Sequence, residues 1–197
     1  NTTISRDLLK HGGQFDEPVA QWSIKRRWVA EAFEALERAG YTIGSAYTAV
    51  KDPAKTRFLY RDRLWQGADM VGLGVASFGH INGVHLQNVD TWEKYADAIN
   101  REEIPLGRAY RPTAEERMIR EFVLQLKRGS VRPSYFQGKY GVNVRERFRD
   151  QIASLGAAGL LAPAGDDAIA ITRDALLRVD TLLPRFFLPQ HTGIRYT

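Results

Sequence analysis

The sequence contains no cysteine. Disulfides, thiolate metal sites and cysteine nucleophiles are therefore excluded within these residues. An iron–sulfur cluster needs several thiolates, so this chain cannot hold one. The absence fits a reducing compartment, and a cytoplasmic location is the expectation. Long apolar runs are also lacking. None approaches the roughly 18 residues of a membrane span, so no membrane partner is expected. The first residues, Asn1-Thr2-Thr3-Ile4-Ser5, contain neither an initiator methionine nor a basic-then-apolar signal region. They read as a cut inside a longer chain. No nucleophile elbow, Walker loop, internal repeat or low-complexity segment occurs.

The 197 residues suit one domain or one and a half, with enough length for a sizeable core. Hydrophobic residues make up 44% and charged residues 26%, the balance of a soluble globular chain. The net charge of +5 is modest. Lys and Arg are scattered among Asp and Glu, as on an ordinary solvated surface.

Residues 1–22 read as irregular, punctuated by His11-Gly12-Gly13 and Pro18. Ser23 is placed to cap a helix running to about Ala39, with Ile24, Trp28, Ala32 or Phe33, and Leu36 at helical spacing and Gly40 as its stop. Tyr41 to Val50 reads as a strand, which would complete one αβ step. A polar, Arg-rich loop follows, with a short strand at Arg57–Tyr60. Met70 to Ser77 reads as a buried strand leading into a turn, and His80 to Asn88 as a hairpin. From residue 90 the character is helical. Asp90/Glu93 and Thr113/Glu116 read as capping boxes. The second opens a helix with the apolar stripe Met118, Ile119, Phe122, Val123 and Leu126. Asn143 with Glu146 opens a third helix carrying Val144, Phe148, Ile152 and Leu155 and ended by Gly156. Gly159–Ala162 and Ala168–Ile171 read as a small hairpin around Gly165-Asp166-Asp167. Thr172 caps a last helix that Pro184 should kink.

Two segments are the candidates for chemistry. Gly72-Leu73-Gly74-Val75-Ala76-Ser77 either lets backbone approach a flat ligand closely or forms a tight turn packed against a helix. It is not a dinucleotide fingerprint, because the third glycine and the helix are missing. Arg57, Arg61 and Arg63 alternate with Phe58, Tyr60 and Trp65. Arginine forks bind carboxylates and aromatic faces stack on planar rings, although a solvated hairpin would use the same residues. Among His11, His80, His85 and His191 no metal-ligand spacing occurs, so no metal site is expected. His80 lies three residues after Ser77, close to any ligand the glycines admit. Arg145, Arg147 and Arg149 could contact phosphates, but the accompanying helices lack a basic recognition face.

The order of these features resembles a known family. Gly40-Tyr41, then Leu64-Trp65, Asp69-Met70-Val71-Gly72-Leu73-Gly74-Val75-Ala76-Ser77, Asn88, Tyr95, Ile99 and Pro105 follow the C-terminal half of oxygen-independent coproporphyrinogen III oxidase-like radical S-adenosylmethionine proteins. Glu115-Glu116-Arg117, Phe148, Gly156-Ala157-Ala158-Gly159-Leu160-Leu161 and Ile171-Thr172-Arg173 resemble that family's helical C-terminal domain. The resemblance implies an α/β plus α fold. Residues 1–88 would be the last units of a partial (β/α) barrel, and residues 89–197 a mainly helical, winged-helix-like cap. It implies S-adenosylmethionine as cofactor, with Val75, Ala76 and Phe78 as contacts and Gly72 and Gly74 permitting the approach. A [4Fe–4S] cluster would sit on a CxxxCxxC loop in the missing N-terminal half of the barrel. The substrate would be a tetrapyrrole or a related small molecule, met by Arg61, Arg63 and His80, in heme biosynthesis or heme utilisation. The His-Asn pair that many relatives carry before the glycine segment is missing from Phe58-Leu59-Tyr60-Arg61-Asp62-Arg63-Leu64-Trp65, which leaves room for a heme-utilisation or methyltransferase relative. No catalytic residue is assigned, and the chain by itself is expected to be inactive. The alternative is a non-catalytic winged-helix module that binds nucleic acid or a protein.

Overall fold

The structure is a computed structural model, and it describes residues 21–192. The segment containing His11-Gly12-Gly13 and Pro18 lies outside the described residues. Trp22–Arg38 forms helix α1. It starts at Gln21 with no side-chain cap, so Ser23 lies inside the first turn and does not cap it. Exposed Arg27–Glu31 and Arg38–Glu34 pairs run along it at i,i+4 spacing, where such pairs stabilise little. Gly40, at φ 83°, turns the chain out of the helix.

The strand expected from Tyr41 to Val50 is instead an antiparallel hairpin of β1 (Thr42–Ser45) and β2 (Thr48–Val50). Its turn is pulled back by the C-terminal half. The Ala46 N–H donates to the Lys127 carbonyl at 2.9 Å, and the Tyr47 hydroxyl donates to Asp180 at 2.5 Å. The strand expected at Arg57–Tyr60 gives way to helix α2 (Leu59–Trp65). Arg61 explains this: its guanidinium lies over Phe58 three residues before and Trp65 four residues after, contacts that only helical spacing provides.

Residues 70–77 form a loop rather than a buried strand. Val71 is 68% and Leu73 82% exposed, and only Met70 bridges to a neighbour, His80. The hairpin expected next is present as β3 (Phe78–Ile81) and β4 (Val84–Asn88). Its two-residue turn, Asn82-Gly83, has φ 47° and 74°, as hairpin twist demands. Strand β5 (Leu106–Tyr110) adds to the other edge of β4. Helix α3 (Trp92–Asn100) lies between them in sequence. It is capped at Thr91 with no side-chain hydrogen bond, so the Asp90/Glu93 box is not made.

Helix α4 (Ala114–Leu126) begins with the expected Thr113/Glu116 capping box. The chain continues through β6 (Ser130–Val131), α5 (Pro133–Tyr140), α6 (Val144–Arg147) and α7 (Arg149–Ala157). Asn143 caps α6, and the helix expected as continuous breaks at fully buried Phe148. The hairpin β7 (Leu161–Ala162) and β8 (Ile169–Ile171) recruits β6 into a sheet of order β6-β8-β7. Thr172 caps α8 (Arg173–Leu177) through the Ala175 N–H, α9 (Val179–Leu182) follows, and a 3-10 turn takes over at Pro184. Every named strand pair among the described residues is antiparallel.

The main core lies in this second half. Phe122 is completely buried, with its ring centroid 4.6 Å from Phe148, 5.0 Å from Phe186 and 5.6 Å from Phe136. A buried ionic clamp ties the first half to it. Glu121, 3% exposed, accepts from Lys139 Nζ at 2.7 Å and from the Tyr135 hydroxyl at 2.6 Å. Lys139 also donates to the Gln66 carbonyl at the end of α2. Gly67 turns the chain there at φ 80°, and any Cβ on it would meet the Glu121 carboxylate.

Candidate functional site

The glycine loop is held by its own neighbours. Asn88, at the end of β4, donates from Nδ2 to the carbonyls of Gly72 at 3.0 Å and Gly74 at 2.8 Å. The Gly74 N–H donates to the Tyr95 hydroxyl of α3 at 3.0 Å. Gln87 donates to the Ala76 carbonyl, and the Ala76 N–H donates to the Val89 carbonyl. The Ser77 hydroxyl donates to the Leu73 carbonyl at 2.6 Å. Gly72 is needed for internal packing, since a Cβ there would lie 2.2 Å from the Phe78 carbonyl oxygen. Gly74 is needed for its φ of 99°. Ala76, at φ 57°, occupies the left-handed region without being glycine, a strain found where surrounding structure fixes a loop.

Among the described residues the loop leaves several polar groups open, the Gly72 N–H among them. The Val75 peptide N–H and carbonyl make no hydrogen bond among the described residues. The Phe78 ring is 54% exposed. A flat, weakly polar group could lie on Phe78 and read the Val75 peptide, which is a partial fit to an adenine-bearing cofactor. An iron–sulfur cluster does not fit, because the chain has no thiolate.

The remaining sequence candidates are dispersed. Arg61 has no free fork. Nε and one terminal nitrogen bind Asp62, the other terminal nitrogen binds Thr48, and the side chain is 16% exposed. Arg63 projects into solvent. His80 faces His85 across the hairpin, Nδ1 to Nδ1 at 3.3 Å. Arg145, Arg147 and Arg149 are engaged within the chain, with the Asp166 and Ala168 carbonyls, Glu115 and Asp150 respectively.

A second feature has no counterpart in the sequence reading. A cleft of about 380 Å³ is lined by one stripe of α4, namely Glu116, Ile119, Arg120, Val123 and Leu124, together with His85, Phe187, Leu188 and His191. Glu116 is saturated: His191 at 2.6 Å, the Tyr110 hydroxyl and the Thr113 N–H hold its carboxyl down to about 2. His85 borders the cleft, with His80 behind it. Burial pushes His85 down to about 4, with the Arg120 cation and then His80 adding to it. Burial, and next Arg120, also lowers His80.

This pair predicts a pH dependence. Unfolded histidines titrate near 6.5, so between 6.5 and 4 the unfolded chain binds protons that the folded chain refuses. Stability therefore falls as pH drops through that window. Urea denaturation is expected to lose about 2 kcal/mol between pH 7 and 4.5. His85→Leu is expected to flatten the profile, and an unchanged slope in that variant would contradict the assignment.

No family model matches the sequence, and no curated protein matches it. In fold, the chain is similar to a solved structure described as coproporphyrinogen III oxidase from Escherichia coli, a radical S-adenosylmethionine enzyme. The TM-score is 0.63 at 18% identity, over 80% of this chain and 39% of that one. No described helix is long and apolar enough to cross a membrane. This chain thus spans well under half of the structure it resembles, and at such identity what the two share is a mixed α/β fold with small antiparallel sheets.

Proposed function

We propose that this chain is the C-terminal portion of a longer radical S-adenosylmethionine enzyme of the coproporphyrinogen oxidase type. The observation that carries the reading is the fold similarity across four-fifths of the chain. In this reading residues 1–88 complete the barrel and residues 89–197 form the winged-helix-like cap. The substrate is a tetrapyrrole or a related small molecule, and the compartment is the cytoplasm. S-adenosylmethionine, when bound, supplies the radical chemistry. Val75, Ala76 and Phe78 form one wall of its pocket, with Gly72 and Gly74 shaping the loop. Substrate contact falls to Arg63, since Arg61 is occupied by Asp62 and Thr48 and His80 is buried against His85.

The distribution of exposed apolar side chains supports the missing partner. Leu59, Tyr60, Val71, Leu73, Phe78, Ile104 and Leu106 stand in solvent, Leu73 at 82% and Ile104 at 84%. The half beyond residue 118 closes around Phe122 instead. Exposed apolar surface concentrated in one half marks a face meant to be covered, and the rest of the barrel would cover it.

The test is an amide-resolved NMR titration of the chain with S-adenosylmethionine. Shifts are expected at Val75, Ala76 and Phe78, weakened about tenfold in affinity by Phe78→Ala. Shifts confined to other residues, or none at millimolar ligand, would overturn the placement. The chain alone is expected to cleave no S-adenosylmethionine, because it has no cysteine to hold a cluster.

A further inference from the structure

Arg120 sits mid-way along α4, partly buried, on the cleft wall. Its guanidinium makes no hydrogen bond and no close ion pair among the described residues. Removal from water is an expense that proteins normally offset with a carboxylate. The available carboxylates are committed elsewhere. Glu121 is near enough to influence Arg120, but Lys139 and Tyr135 hold it. Glu116, one turn earlier on the same stripe, is taken by His191, Tyr110 and Thr113. The neighbouring histidines are neutral and bring no negative charge. Arg117, packed against the Gly83 turn, adds a second cation to the same side of the helix. The walls around Arg120 are apolar: Ile119, Val123, Leu124 and Leu188. A cleft of this volume is within the range that takes small organic ligands.

We propose that this cleft is a binding site for an organic carboxylate with an apolar body, its carboxylate paired with Arg120 and its hydrocarbon laid along Ile119, Val123 and Leu124. Arginine's planar fork matches a carboxylate with two parallel hydrogen bonds. A charge-assisted pair in an apolar setting is stronger than one in open solvent. A simple inorganic anion would leave the apolar walls wet, and an uncharged hydrocarbon would leave the cation unpaired. The ligand class therefore follows from the two halves of the site together. The inference is independent of the glycine loop and of the proposed function.

Calorimetric titration of the full chain with octanoate, 1-octanol and acetate tests it. Octanoate is expected to bind at least about tenfold more tightly than either companion. Arg120→Gln keeps a polar side chain but removes the charge, and it is expected to bring octanoate down to the level of 1-octanol. Leu124→Trp fills the cleft, leaves Arg120 in place and is expected to abolish binding. Thermal melts report whether each variant is folded. If Arg120→Gln does not fold, the octanoate-to-octanol ratio and Leu124→Trp still decide. Equal binding of octanoate and 1-octanol, equal binding of octanoate and acetate, or no heat at millimolar octanoate would each overturn the proposal.

Discussion

Phe122→Ala is expected to remove about 4 kcal/mol of unfolding free energy, measured as a fall in the urea midpoint at unchanged denaturant slope. Phe122 has no exposed surface and touches three other aromatic rings, those of Phe136, Phe148 and Phe186. Truncation loses the transfer of a whole ring and leaves a cavity. Those neighbours come from α5, the break between α6 and α7, and the last 3-10 turn. They cannot collapse into the space without moving three elements, which puts the loss in the upper range for core truncations. The contrasting variant is Trp92→Ala. Trp92 is as large but 68% exposed, and its removal should change stability by less than about 1 kcal/mol. A loss of only about 1 kcal/mol at Phe122 would mean that the second half is not the cooperative core.

The elements that were legible in the sequence are those whose signals are local. Thr113 with Glu116 and Thr172 announce helix starts through groups within three residues, and both caps are made. The hairpin of Leu161–Ala162 with Ile169–Ile171 was readable from its turn residues. The failures have tertiary causes. Nothing local between Tyr41 and Val50 announces a reversal at Ala46-Tyr47, because the turn is held by Lys127 and Asp180 from far along the chain. Helix α5 escaped notice because its pattern is weakly amphipathic, with Gly138 inside it and only Phe136 buried. The strand expected at Met70–Ser77 rested on an apolar run, but Val71 and Leu73 point outward from an irregular loop. Hydrophobicity alone does not fix their environment, because hydrophobic side chains are often exposed.

The same distinction applies to the candidate sites. The glycine segment stood out because glycine spacing is visible in one dimension. The Arg120 cleft did not, because its members come from α4, the β3–β4 hairpin and the chain after Pro184. One trace exists in the sequence: Glu116, Arg120 and Leu124 follow helical spacing along the edge of the buried stripe that holds Ile119 and Val123. A charged residue within such a second, mixed stripe is weak evidence until the structure shows that no carboxylate answers it. Arg61 teaches the converse. Arginines interleaved with aromatics suggested a ligand surface, yet the aromatics at helical distance are Arg61's own packing partners.

The glycine loop allows a sharper trial, because its two readings predict different outcomes for one substitution. Gly72→Ala places a Cβ 2.2 Å from the Phe78 carbonyl oxygen and 2.7 Å from its carbon. These are backbone atoms of a strand already paired with β4, so they cannot swing aside as a flexible side chain would. The expected result is a loss of about 3 kcal/mol from overpacking, with no ligand present. The damage should be local at first. Hydrogen exchange should accelerate at Ala76 and Asn88, whose N–H groups bond to Val89 and Ser77, while amides in α4 keep their protection. If the glycine served only to admit a cofactor, the variant would melt normally and lose cofactor contact alone. Unchanged melting and exchange would therefore refute the packing role. Asn88 and Tyr95 fix two of the loop's carbonyls and its Gly74 amide, while the Val75 peptide, the Phe78 ring and the Val71 and Leu73 side chains stay on its surface. A substitution at Phe78 tests recognition, whereas one at Gly72 tests the architecture on which that recognition depends.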